Sequence, residues 1–187
     1  MYSLLLGDLP DTVCVDGEKC FMRTDFKNWI KFELIITDTN LTGEQKLMAT
    51  LPLCFRKLPS NPDVAIKACT EFYGGGSEGK KGGEHIRPLY SFLHDGDLIF
   101  SSFKSQYGID LCSENMHWYK FRALLKGLGS DTKFAEVVYI RGLDLSGVKD
   151  DELRKKYREL KKIWKLPDTR SEKEKHDELV REIEKAL

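Results

Sequence analysis

Apolar side chains recur at helical spacing in segment after segment of this chain, and each segment carries its own start and stop signals. Phe26, Trp29, Ile30 and Leu34 stand at steps of 3, 1 and 4, with Thr24 or Asp25 placed to cap them. One face of a helix is therefore apolar from its first turn. Thr42-Gly43-Glu44-Gln45 is a capping-box pattern ahead of Leu47, Met48 and Leu51, in which cap and third-position side chains satisfy each other's free N–H groups. Pro52 is expected to end or kink that helix, because it lacks an N–H and its ring crowds the preceding turn. Asn61-Pro62 sets a cap before a proline at the first helical position, leading into Ala65, Ala68, Cys69, Phe72 and Tyr73. Further on, Asp97 can cap a helix through Ile99, Phe100, Phe103 and Tyr107 that Gly108 stops. Ser113 or Glu114 opens one through Trp118, Phe121, Leu124 and Leu125, and a shorter one runs through Phe134, Val137 and Val138 towards Arg141. Arg122 lies inside an apolar face, so it must pair with a carboxylate or a backbone carbonyl.

One β signal precedes the helices. Thr12-Val13-Cys14-Val15 and Glu18-Lys19-Cys20-Phe21 flank Asp16-Gly17, a hairpin dipeptide. A two-residue turn sets Val15 opposite Glu18 and Cys14 opposite Lys19, with Cys14 and Cys20 on opposite sides of the ribbon. A three-residue loop would bring the two thiols face to face. The five cysteines, Cys14, Cys20, Cys54, Cys69 and Cys112, are odd in number and hold no CxxC, so they read as reduced, structural thiols and no metal or cofactor is expected.

Charge divides the chain. From Gly147 to Leu187, 24 of 41 positions are charged, with 13 basic and 11 acidic residues interleaved as on a solvated helix. This separates a body, residues 1–146, from a charged helical segment, 147–187. In the latter, Leu153, Tyr157, Leu160 and Trp164 form one apolar stripe closed by Leu166-Pro167. Behind a second capping box at Ser171-Glu172-Lys173-Glu174, Leu179, Val180, Ile183 and Leu187 form another. The stripes can close on each other as a helical hairpin or offer a face to a partner or a second copy, and both readings stand at this point. The fold expected is mainly α: a multi-helix bundle with a short N-terminal β-hairpin and a charged C-terminal helical pair.

Lys and Arg together number 30, as do Asp and Glu, which argues against a nucleic-acid binder. No apolar run approaches the ~18 residues of a membrane span, and Leu4-Leu5-Leu6 is too short for a secretory signal. A soluble intracellular protein is expected. Gly74 to Glu84 holds six glycines in eleven residues and reads as a loop. It satisfies GxxxxGK and GxGxxG, but a helical segment leads in, Lys81 replaces the magnesium-binding hydroxyl, and no helix leads out, so no nucleotide is expected. His94-Asp95 with His85 upstream reads as a turn before a helix rather than a metal site. His117 lacks the HExxH spacing, and no Ser or Cys carries a nucleophile motif. The chain reads as a non-enzyme.

Three stretches together resemble a known family. They are Thr24-Asp25-Phe26-Lys27-Asn28-Trp29-Ile30-Lys31-Phe32-Glu33; Tyr107-Gly108-Ile109-Asp110-Leu111 with His117-Trp118-Tyr119-Lys120-Phe121-Arg122-Ala123-Leu124-Leu125; and Tyr139-Ile140-Arg141-Gly142-Leu143-Asp144-Leu145. With Leu4-Leu5-Leu6-Gly7-Asp8-Leu9-Pro10 before them, they resemble the bacteriophage gene product fifteen family of tailed phages and prophages, over Met1 to Pro167. The resemblance implies a non-catalytic tail-morphogenesis protein encoded near the tape-measure gene. A tail assembly chaperone that binds the tape-measure protein or other tail proteins in the host bacterial cytoplasm follows from that placement. A structural component of the tail or connector is the alternative it leaves.

Overall fold

A computed structural model describes residues 3–75 and 88–167. Strands β1 (Thr12–Val15) and β2 (Glu18–Phe21) form an antiparallel hairpin with Val15 opposite Glu18 and Cys14 opposite Lys19, so the turn has two residues and the thiols point apart. Asp16 and Gly17 take positive φ, 49° and 82°, the geometry that matches the right-handed twist of the strands. Helices α1 (Phe26–Thr37), α2 (Gly43–Cys54), α3 (Pro62–Gly74), α4 (Gly96–Tyr107), α5 (Trp118–Lys126), α6 (Lys133–Gly142) and α7 (Asp151–Ile163) follow, with a 3-10 turn at Leu145–Gly147. The fold is mainly α.

The caps explain most boundaries. Asp25 accepts from Lys27 N–H, Thr42 and Gln45 form the reciprocal box, and Asn61 accepts from Val64 N–H before Pro62. Three boundaries differ from the sequence expectation. Pro52 neither ends nor breaks α2, because it stands in the last turn and the helix runs on to Cys54. The helix stops when 54–56 is drawn beside the hairpin: Arg23 N–H donates to the Cys54 carbonyl at 2.6 Å and Arg56 N–H to the Phe21 carbonyl at 3.0 Å. The cap position of α4 is Asp95, not Asp97, and the Asp95 carboxylate makes no cap bond. Neither Ser113 nor Glu114 opens α5; His117 caps it, accepting from Tyr119 N–H at Nδ1.

His117 has a second task that local pattern does not show. Its Nε2 lies 3.0 Å from the Pro10 carbonyl, and since Nδ1 accepts, Nε2 must carry the proton and donate. Burial holds the imidazole below its ordinary pKa, which keeps that neutral tautomer. Beside it Trp118 N–H donates to the Thr24 carbonyl and Phe26 N–H to the Met116 carbonyl, so α1 and α5 start from one short backbone bridge.

That bridge sets the aromatic residues of α1 and α5 against α3. Trp29 stacks on Phe72 at 4.7 Å, Phe72 on Tyr119 at 4.9 Å, and Phe26 on Phe121 at 4.6 Å. Phe103 of α4 closes on Phe121 at 5.3 Å. The last carbonyls of α3, which have no partner within the helix, are met by α5: Tyr119 Oη donates to Phe72 O, and Trp118 Nε1 and Arg122 donate to Tyr73 O at 3.0 and 2.7 Å. Arg122 therefore pairs with a carbonyl. Its charge at a helix C-terminus also complements the helix dipole. Gly75, at φ 82°, supplies the left-handed cap, and Cys54 and Cys69 are fully buried small core residues.

Candidate protein-binding face

Helix α7 forms where the charge pattern placed it. Asp150 caps it through Leu153 N–H, Asp151 and Glu152 fill the first turn, and Lys161 and Lys162 the last, each sign suited to its end of the dipole. Arg154–Asp151 and Lys162–Glu159 pairs brace its solvent side at 2.7 and 2.9 Å. None of its residues is buried. Leu153 is 41% exposed, while Tyr157, Leu160 and Trp164 are half-buried. The structure thus gathers these four on one stripe that the body covers only in part. Leu179, Val180, Ile183 and Leu187, the rest of the expected face, lie outside the described residues, as does nearly all of the glycine-rich stretch.

One residue anchors this helix to the body. Arg141, at the end of α6, donates through Nε to the Trp164 carbonyl at 2.6 Å, and its own carbonyl accepts from Lys161 Nζ at 2.9 Å. Its guanidinium grips Asp95 in a two-pronged pair at 2.6 and 2.8 Å and reaches the Leu89 carbonyl at 3.1 Å. Asp95 also accepts from Ser91 N–H at 2.9 Å. This explains the absent cap bond: both Asp95 oxygens are engaged by Arg141 and Ser91. The side chains are 9% and 3% exposed, so the pair is a desolvated one, held by matched geometry and full hydrogen bonding. Sequence pattern missed it. Lys133 Nζ, 5.4 Å from the centre of the Trp164 ring, adds a cation–π contact.

The remaining ionisable residue of note is half-buried on α1. Glu33 on α1 accepts from the Tyr73 hydroxyl, and burial pushes its carboxyl from 4.5 up to about 7. A carboxyl with a raised folded pKa binds its proton more tightly in the native state, so its contribution is full below about 4.5 and lost as pH rises through about 7. Glu33→Gln should remove that slope and raise stability at pH 8 by about 1–3 kcal/mol, the shift discounted for partial solvation. Urea melts at pH 5 and 8 read the result; parallel slopes in both proteins would refute it.

Among the described residues no cluster of three His, Cys, Asp or Glu could hold a metal, and no helix is long and apolar enough to cross a membrane. What the arrangement presents is an aromatic-cored helical body with an amphipathic charged helix pinned at one end. The family model described as Bacteriophage Gp15 protein matches residues 5–166, and the chain belongs to that family. No curated protein and no solved structure matches it.

Proposed function

We propose that this phage protein is a non-catalytic tail assembly chaperone that binds the tape-measure protein in the host cytoplasm. The observation that supports it is the α7 stripe: Leu153, Tyr157, Leu160 and Trp164 on a helix with no buried residue. Apolar positions at this spacing suit another amphipathic helix, the secondary structure of a long helical client. Leu179, Val180 and Ile183 form a second such stripe further along the sequence. A second copy of the chain is the other partner such a face can take.

Leu153→Asp with Tyr157→Ser should weaken retention of co-expressed tape-measure protein by about tenfold or more, a loss of at least about 1.4 kcal/mol. The melting temperature should move little, since Leu153 is exposed and Tyr157 only half-buried. Truncation after Pro167 should leave a folded body with weaker client binding or self-association. Undiminished retention by both proteins would overturn the reading, and recovery of the chain from finished virions would favour a structural tail component instead.

A further inference from the structure

The outer edge of β2 is half used. The pair Val15–Glu18 closes the two-residue turn, so hydrogen-bonded pairs recur at Val13–Cys20, and Lys19 and Phe21 turn their N–H and C=O groups away from β1. The bond from Met22 N–H to the Asp11 carbonyl, 2.8 Å, keeps the same alternation. On that outer edge, pairing starts only at the Phe21 carbonyl, which accepts from Arg56, and continues through Arg23 N–H to Cys54. Beyond Arg56 the chain diverges and leaves a groove of about 330 Å³ between β2 and Lys57, Leu58, Pro59 and Ser60. Among the described residues, the N–H and C=O of Lys19 and the N–H of Phe21 have no partner across it.

The lining of the groove has a definite chemistry. Phe21 is 49% and Leu58 58% exposed. Lys19 and Arg56 stand over the Phe21 ring at 5.9 and 6.0 Å from its centre. With Lys57 they set three cations against the single carboxylate of Glu18, and none of the three is in an ion pair among the described residues. An open strand edge offers main-chain bonds to an extended chain, and the flanking side chains choose which one.

We infer that this edge captures an extended segment of a partner protein in which acidic side chains flank apolar ones. The segment adds as a third strand beside β2. Its carbonyls accept from the Lys19 and Phe21 N–H groups and one of its N–H groups donates to the Lys19 carbonyl. Its carboxylates meet Lys19, Arg56 and Lys57, and an apolar side chain covers Phe21 and Leu58. This surface is separate from α7, so it stands whether or not the tape-measure protein is the client.

The test uses the full chain and a fluorescent, end-blocked nine-residue peptide, Glu-Thr-Val-Thr-Glu-Thr-Val-Thr-Glu, which sets Glu and Val in turn on one strand face, with Lys in place of each Glu as the charge-reversed probe. Wild-type protein should bind the acidic peptide at least about tenfold more tightly than the basic one. Hydrogen exchange at the Lys19 and Phe21 amides should slow in that complex. Lys57→Glu should weaken binding about tenfold, as should Lys19→Pro, which removes an outward N–H and spares the β1 pairing. Equal affinity for the two peptides, or unprotected Lys19 and Phe21 amides in the bound wild type, would overturn the inference. So would a dimer that Lys19→Pro dissolves, since a second copy would then own the edge.

Discussion

Trp29→Ala should destabilise the protein by about 3–5 kcal/mol, the range for truncating a fully buried aromatic. The indole is 0% exposed, lies on Phe72 at 4.7 Å and tilts against Phe32 at 5.4 Å. Its Nε1–H also donates at 2.9 Å to the carbonyl of Arg23, the residue whose own N–H holds the end of α2. Alanine thus opens a cavity where α1 meets α3 and leaves a partly buried carbonyl without its donor, and the two losses act in the same direction. Against a typical stability of about 5–15 kcal/mol the change is large. Phe121→Ala should cost a similar amount, because Phe121 is 0% exposed and meets Phe26, Phe103 and Trp118. Urea midpoints at constant slope measure both. A loss under about 1 kcal/mol in either variant would mean that the side chain is not core in solution.

What could be read from the chain before folding was what local chemistry decides. Asp16-Gly17 marked the hairpin and narrowed its register to two, a two-residue turn or a three-residue loop, because turn length fixes which residues face each other; the shorter turn is the one formed. Thr42 and Asn61 were recognisable caps, and Asp25 one of two candidates with Thr24, because short side-chain oxygens act on N–H groups two or three positions away. The α7 stripe was visible because its period lies within one helix. His117 was not recognisable as a cap: imidazole is an uncommon capping group, and its orientation is set by the Pro10 carbonyl, 107 positions earlier. The end of α2 was misjudged because its limit is set by pairing with the hairpin rather than by Pro52. Asp95 and Arg141, 46 positions apart, each looked ordinary in isolation. No local period reports a pair that exists only after α4 and α6 have packed, and how far the body covers the α7 stripe depends on that same packing.

Asp95→Ala is the second substitution with a large expected effect, again about 3–5 kcal/mol, because it leaves the Arg141 guanidinium buried without its counter-charge. The arginine side chain is only 9% exposed and cannot regain water without leaving its site. If it does leave, it gives up the Leu89 and Trp164 carbonyls as well. The consequence should therefore spread to α7, whose last turn Arg141 and Lys161 tie to α6. Hydrogen exchange in Asp151–Ile163 should quicken while the amides of α1 and α5 fall only with global stability. Adding Arg141→Met removes the stranded charge, so the double variant should recover much of the body's stability, as buried pairs replaced by apolar groups commonly do. It should not restore protection in α7, because methionine cannot donate to the Trp164 carbonyl. A single variant costing less than about 1 kcal/mol would mean a solvated pair, and a double variant that protects α7 fully would mean that the helix is held by its apolar stripe rather than by Arg141.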